Sequence, residues 1–214
     1  MHLATLGSFE LFDGTPDTHP VRIMGAAKPL SLVAYLALAP KRRASRDTLI
    51  GLLWSDADLD RARSTLRQTM WSLRQRLGDD ALRAEGDDIV LGLPVTTDCG
   101  AFEAAVADKD LERAWALYSG HFIADFGVMG GAAFEQWADL RRDRLSAAWL
   151  TVGGLLSRRY LEASRHRDAL AIAKRLCDEA PERLEFWRTR LEALLADGAH
   201  MQATLDADAL QALM

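Results

Sequence analysis

Cysteine is nearly absent from this chain. Its 214 residues hold only Cys99 and Cys177, and neither stands in a Cys-x-x-Cys or Cys/His cluster. Zinc-ligand spacing and a disulfide framework are both missing. Histidine is sparse and scattered, at His2, His19, His121, His166 and His200. No run of about 18 apolar residues occurs, so the sequence offers no membrane-spanning helix. The opening Met1-His2-Leu3-Ala4-Thr5 lacks the basic segment and long apolar run of a signal peptide. There is no Gly-x-x-x-x-Gly-Lys-Ser/Thr loop, no Gly-x-Ser-x-Gly elbow and no His-Glu-x-x-His pair. These absences predict a cytoplasmic protein that is not an enzyme, with no catalytic residue, metal, cofactor or membrane contact.

A net excess of basic charge is also lacking. The formal charge is −5, which on its face argues against a nucleic-acid partner. The distribution says otherwise. Residues 1–95 are balanced, and all the excess acid lies in residues 96–214. Residues 41–76 hold nine Lys/Arg against four acids, a local charge of +5. A basic stretch inside an acidic protein is the footprint of a module that faces phosphate.

The hydrophobic pattern divides at the same place. Leu3–Phe12 and Val21–Ile23 alternate as short strands, with a turn at Asp13-Gly14. From Pro29, the run Leu30, Leu32, Val33, Tyr35, Leu36, Leu38 reads as a buried helix that stops at Pro40. Ser45 caps a second helix through Trp54. In a third, Arg61–Leu77, the residues Leu66, Met70, Leu73 and Leu77 form one apolar stripe and Gly78 ends the helix. Gly86-Asp87 then turns a hairpin within Leu82–Leu93. Strands, three helices and a hairpin make a winged helix with an added N-terminal sheet, and Pro94–Gly100 is the natural boundary.

Everything beyond Asp98 reads as helix. Phe102–Ala107 and Leu111–Tyr118 form a short pair. Gly120–Gly131 is an apolar loop (Phe122, Ile123, Phe126, Val128, Met129) expected to pack. Phe134–Ser164 is a long helix with a possible break at Gly153-Gly154. His166–Glu179, Arg183–Ala196 and a helix from Ala199 to the end follow. At an offset of 34 residues, Leu161, His166, Ala169, Ala173 and Leu176 map onto Leu195, His200, Ala203, Ala207 and Leu210. That period belongs to paired-helix repeats of the tetratricopeptide kind.

The third helix shows Arg63, Ser64, Arg67, Gln68, Trp71, Ser72 and Gln75 away from its apolar stripe. Arg can clamp guanine and Gln can pair with adenine in a major groove, and Ser permits close approach. Arg61, Arg63, Ser72, Arg74 and Arg76 suit phosphates. Arg42, Arg43 and Arg46 fall at the start of the second helix, where backbone N–H groups also favour a phosphate. Arg83 is the hairpin's one basic residue, positioned to reach an adjacent groove. Trp71 has two readings, a DNA contact or packing beneath the hairpin.

Three segments carry a family resemblance: Arg46-Asp47-Thr48-Leu49-Ile50-Gly51-Leu52-Leu53-Trp54, Arg61-Ala62-Arg63-Ser64-Thr65-Leu66-Arg67-Gln68 and Leu73-Arg74-Gln75-Arg76-Leu77-Gly78. They resemble the DNA-binding half of the Streptomyces antibiotic regulatory protein family, an OmpR/PhoB-type winged helix. Asp98, Phe102, Leu111–Gly120, Phe134-Glu135-Gln136-Trp137 and Arg141–Leu145 resemble the bacterial transcriptional activator domain that follows it there, an all-helical tetratricopeptide-like module. The resemblance implies a mostly α chain, with a winged helix-turn-helix over residues 1–95 and a helical activator domain over residues 96–214. It implies an activator that binds double-stranded promoter DNA, often as a homodimer on direct repeats, and recruits RNA polymerase. It carries a reading role onto Arg63, Ser64, Arg67, Gln68 and Arg74, and a polymerase contact onto the loop Ser55–Asp60. The family commonly has Ser-Arg where this chain has Trp71-Ser72. The alternative is an interaction adaptor whose winged helix has lost DNA binding; the basic cluster at residues 41–76 argues against it.

Overall fold

Alternation at leucine builds the first sheet. The computed structural model describes residues 1–14, 19–124 and 131–213. In it β1 (His2–Ala4), β2 (Glu10–Asp13) and β3 (Val21–Gly25) form an antiparallel meander. The register sets Leu3 opposite Leu11, and Leu11 opposite Met24, so one face of the sheet is buried. A two-residue strand numbered below as β7 (Thr96–Thr97) pairs parallel with β1 at the edge. The sequence does not signal this strand, because two residues are too few to alternate.

Helix α1 (Lys28–Leu38) has Pro29 in its first turn and buries Leu30, Leu32, Val33 and Leu36. A 3-10 turn at Pro40–Arg42 follows, with Lys41 and Arg42 both in the left-handed region (φ 55° and 54°). That reversal sends Arg43–Ser45 out as a strand, β4. The sequence reading assigned Arg43 to the start of a helix; instead the helix α2 is Arg46–Leu53. The Ser45 hydroxyl caps it by accepting the Thr48 N–H at 3.1 Å. Helix α3 is Leu59–Leu77, two residues longer at its start than the apolar stripe implied, because Asp58 caps it by accepting the Arg61 N–H. Gly78, at φ +99°, ends it. The hairpin is β5 (Leu82–Glu85) and β6 (Asp88–Leu91), turned at Gly86-Asp87 with Gly86 at φ +62°. β4 pairs with β6, giving a second sheet in the order β4-β6-β5.

The remaining elements are helices: α4 (Asp98–Ala107), α5 (Leu111–Leu117), α6 (Ala132–Glu162), α7 (His166–Glu179), α8 (Leu184–Ala196) and α9 (His200–Leu213). The architecture is a winged helix with an N-terminal sheet, then a helical half. By packing, the chain divides into Met1–Ala104 with Leu117–Leu145, and Ala105–Ala116 with Ser146–Met214. Chain order and packing therefore group residues differently.

Within the first unit the reason is visible. The Asp98 carboxylate, at the first turn of α4, accepts the N–H groups of Thr5, Leu6 and Cys99 and the Thr5 hydroxyl, all at 2.5–2.9 Å. Gly7 N–H donates to the His121 carbonyl, and Ile123 N–H to that of Thr5. Trp137 packs edge-on to Tyr35 at 5.3 Å and against Phe122 and Phe134. Phe122 and Ile123 are buried, as the packed-loop expectation required; Phe126, Val128 and Met129 lie outside the described residues.

In the second unit α6 runs on through Gly153-Gly154, without the break that pair suggested. A Cβ on Gly153 would stand 2.6 Å from the Trp115 ring and 2.8 Å from Leu176. The glycine allows close approach instead of a kink. Gly153→Ala should therefore destabilise by about 1–3 kcal/mol through overpacking. At Gly51, exposed on α2 with open space beyond it, the same change should stabilise by up to about 1 kcal/mol through helix propensity. Thermal melts of the two variants should move in opposite directions.

Candidate nucleic-acid interface

Helix α3 carries the site because only one of its faces is spoken for. At 3.6 residues per turn, Ala62, Leu66, Met70, Leu73 and Leu77 share one side, and all are buried, with Thr69 beside them. Arg61, Arg63, Arg67, Gln68, Trp71, Gln75 and Arg76 are exposed; Ser64, Ser72 and Arg74 are half-buried.

Two clefts flank this helix. The first, of about 740 Å³, lies toward α2 and the hairpin. Arg46, Arg63, Arg67 and Arg74 line it with Asp47 and Asp87, over a floor of Ile50, Leu66 and Met70. The second, of about 390 Å³, lies toward β3 and α1 and is lined by Arg22, Ser72 and Arg76 with Met24 and Pro29. Ser72 therefore belongs to the sheet-side flank. Between the flanks, Ser64, Gln68, Trp71 and Gln75 form the crest opposite the buried stripe.

Several predicted contacts are already engaged within the protein. Arg43 sits on β4, where its Nε and Nη2 hold the Asp88 carboxylate at 2.9 and 2.7 Å, and its Nη1 lies 3.8 Å from Glu85. Arg42 Nη1 donates to the Leu93 carbonyl, and Arg74 Nε to that of Leu82. Arg83 lies against Gly92, not out past the hairpin tip. The expected phosphate seat at the start of α2 is partly filled: Ser45 takes the Thr48 N–H, and the Asp87 carbonyl takes that of Arg46. The Arg46 side chain itself is exposed. Arg63 makes only a loose, exposed contact with Asp60 at 4.0 Å.

The structure thus brings Arg46, Arg63, Arg67 and Arg74 together around one cleft, sets Gln68 and Gln75 on the adjoining crest, and gives Arg42, Arg43 and Arg74 hydrogen-bond partners within the protein. Arg22 is the residue the sequence reading missed. It reaches the sheet-side cleft from β3 while pairing with Glu10 at 2.8 Å. No local pattern links a strand residue to a helix 50 positions on.

Burial pushes the Cys177 thiol up to about 11 and raises that of Cys99, so both remain protonated thiols near neutral pH. Among the described residues, no group of three His, Cys, Asp or Glu is placed to hold a metal, and no helix is long and apolar enough to cross a membrane.

Comparison with known proteins adds the following. Residues 96–211, just over half of the chain, match the family model of the bacterial transcriptional activator domain. No curated protein matches. Among solved structures, Mycobacterium tuberculosis EmbR in complex with a low affinity phosphopeptide aligns with 99% of this chain at a TM-score of 0.72 and 20% identity. This chain spans 59% of that one. At such identity the likeness is one of fold.

Proposed function

The chain belongs to the bacterial transcriptional activator domain family, a family of transcriptional regulators and not an enzyme class, and on that premise we propose that it binds promoter DNA through α3. The observation that carries this reading is the exposed crest and flanks of α3, rich in Arg, Gln and Ser and set between α2 and the hairpin. In this reading residues 1–95 are an OmpR/PhoB-type DNA-binding domain and residues 96–214 the activator domain of a cytoplasmic protein. Arg67, Gln68, Gln75 and Ser64 face base edges, with Arg67 suited to guanine and the glutamines to adenine. Arg46, Arg61, Arg63 and Arg76 neutralise phosphates on either side. Arg42, Arg43 and Arg74 also act as supports, and Arg83 lies on the hairpin strand near Gly92. Ser72 borders the sheet-side phosphates. The loop Ser55–Asp60 is offered to RNA polymerase, and two copies bind direct repeats as a homodimer.

A salt series tests this. About four phosphate contacts give a slope near −3.6 in log affinity against log salt. Binding of duplex DNA should fall about a hundredfold between 50 and 200 mM salt. Arg67→Ala with Gln68→Ala should flatten sequence preference, while Arg61→Ala should weaken all duplexes alike.

The adaptor reading keeps one observation in its favour. Arg43 is neutralised within the protein, and the exposed Glu85 and Asp87 make the hairpin tip acidic. If the intact chain shows no affinity for duplex DNA even at low salt, the adaptor reading replaces the activator.

A further inference from the structure

Resting on the DNA-binding reading, we propose that Trp71 is a specificity residue that reads thymine through its 5-methyl group. Trp71 is the one aromatic residue of α3, and it is 65% exposed. It lies five residues after Leu66 and two before Leu73, which at 100° per residue puts it about 140–160° from the buried stripe. It stands on the crest with Ser64, Gln68 and Gln75. At that exposure the ring is not packed beneath the hairpin, the alternative the sequence left open. Among the described residues no ring contact joins it to another aromatic side chain.

Docking α3 crest-first into a major groove would bring this indole against the base edges. A residue on the crest points at the base edges, and Gln68 and Gln75 lie on the same face three residues before it and four after it. The edges of base pairs in that groove are almost wholly polar: guanine N7 and O6, adenine N7 and N6, cytosine N4, thymine O4. The one apolar group they present is the thymine methyl. The face of the indole, unlike its single Nε1–H edge, offers no donor, so laying that face over guanine would strip water from two acceptors without replacing their hydrogen bonds, which is unfavourable. Laid over thymine, it buries a methyl against an apolar surface. The ring therefore favours thymine and disfavours guanine by the same contact.

The test uses the intact chain and a duplex it selects from a random-sequence pool. Each thymine of that duplex is replaced in turn by deoxyuridine, which removes only the methyl. At one or two positions uracil should weaken wild-type binding about fourfold, the equivalent of one buried methyl group. At those positions 5-methylcytosine paired with guanine should bind better than cytosine. W71A should bind the thymine and uracil duplexes equally, and W71F should keep part of the difference. Both variants should melt with the wild type, since the ring is exposed. An enriched duplex that tolerates uracil at every position overturns the thymine contact while leaving the DNA-binding reading standing. A pool with no enriched sequence overturns both.

Discussion

Asp98→Ala should destabilise the N-terminal unit by about 4–6 kcal/mol, enough to leave much of the chain unfolded at room temperature. The carboxylate serves four donors: the N–H groups of Thr5, Leu6 and Cys99, and the Thr5 hydroxyl. Thr5, Leu6 and Cys99 are all buried, so water cannot readily replace the missing acceptor. A buried donor left unsatisfied costs about 1–3 kcal/mol, and bonds to a charged acceptor stand at the strong end of the range. Asp98 also places a negative charge in the first turn of α4, where the helix dipole favours it. Asp98→Asn keeps one acceptor oxygen but turns an NH2 toward the donors, and should lose about half as much. Urea unfolding followed by circular dichroism gives the size of the effect, and hydrogen exchange at Thr5 and Leu6 locates it. An Asp98→Ala chain that unfolds within 1 kcal/mol of wild type would mean that these bonds are replaced by water.

The contrast between this network and helix α3 shows which features are legible in sequence. The features that were legible are local. Ser45 and Thr48 are three residues apart, Gly78 directly follows the last residue of α3, and the apolar stripe repeats every three or four residues. Each follows from short-range sterics and periodicity, so a sequence shows it. Asp98 and Thr5 are 93 residues apart, and nothing near either predicts the other. β4 and β7, of three and two residues, are too short to show alternation, and they exist only because longer strands lie beside them. The same limit governs the site. That Arg67 and Gln68 face away from the core follows from the period of α3. That Arg43 is tied to Asp88, 45 residues on, does not. Charge counting credited Arg42, Arg43 and Arg74 to a DNA-facing surface, whereas carbonyls and carboxylates of the hairpin and the chain after it hold all three. Charge counting could not show these partners, because each lies beyond the arginine's own element, 8 to 51 residues along the chain.

Asp206→Ala should cost the second unit about 3–5 kcal/mol, and it should do so at a position where the preceding repeat has no charge at all. Arg190 of α8 and Asp206 of α9 form a two-pronged pair at 2.6 and 2.8 Å, with Gln202 donating to the same carboxylate and the guanidinium over the Trp187 ring. Their side chains are only 14% and 7% exposed, so removing the acid strands a cation in a low-dielectric site. Thirty-four residues earlier the corresponding residues are Leu156 and Ile172, both buried and apolar. The ion pair therefore occupies two positions whose counterparts 34 residues earlier are buried and apolar. Because a buried pair spends much of its Coulombic attraction on desolvation, restoring the apolar version should be far milder than breaking the pair. The double variant Arg190→Leu with Asp206→Ile should match the wild type within about 1 kcal/mol or exceed it by up to about 4 kcal/mol. Denaturant unfolding of both singles and the double closes the cycle. A double variant as unstable as Asp206→Ala would show that the pair sets the seating of α9 on α8 in a way an apolar contact cannot, and that the two repeats are not interchangeable at this joint.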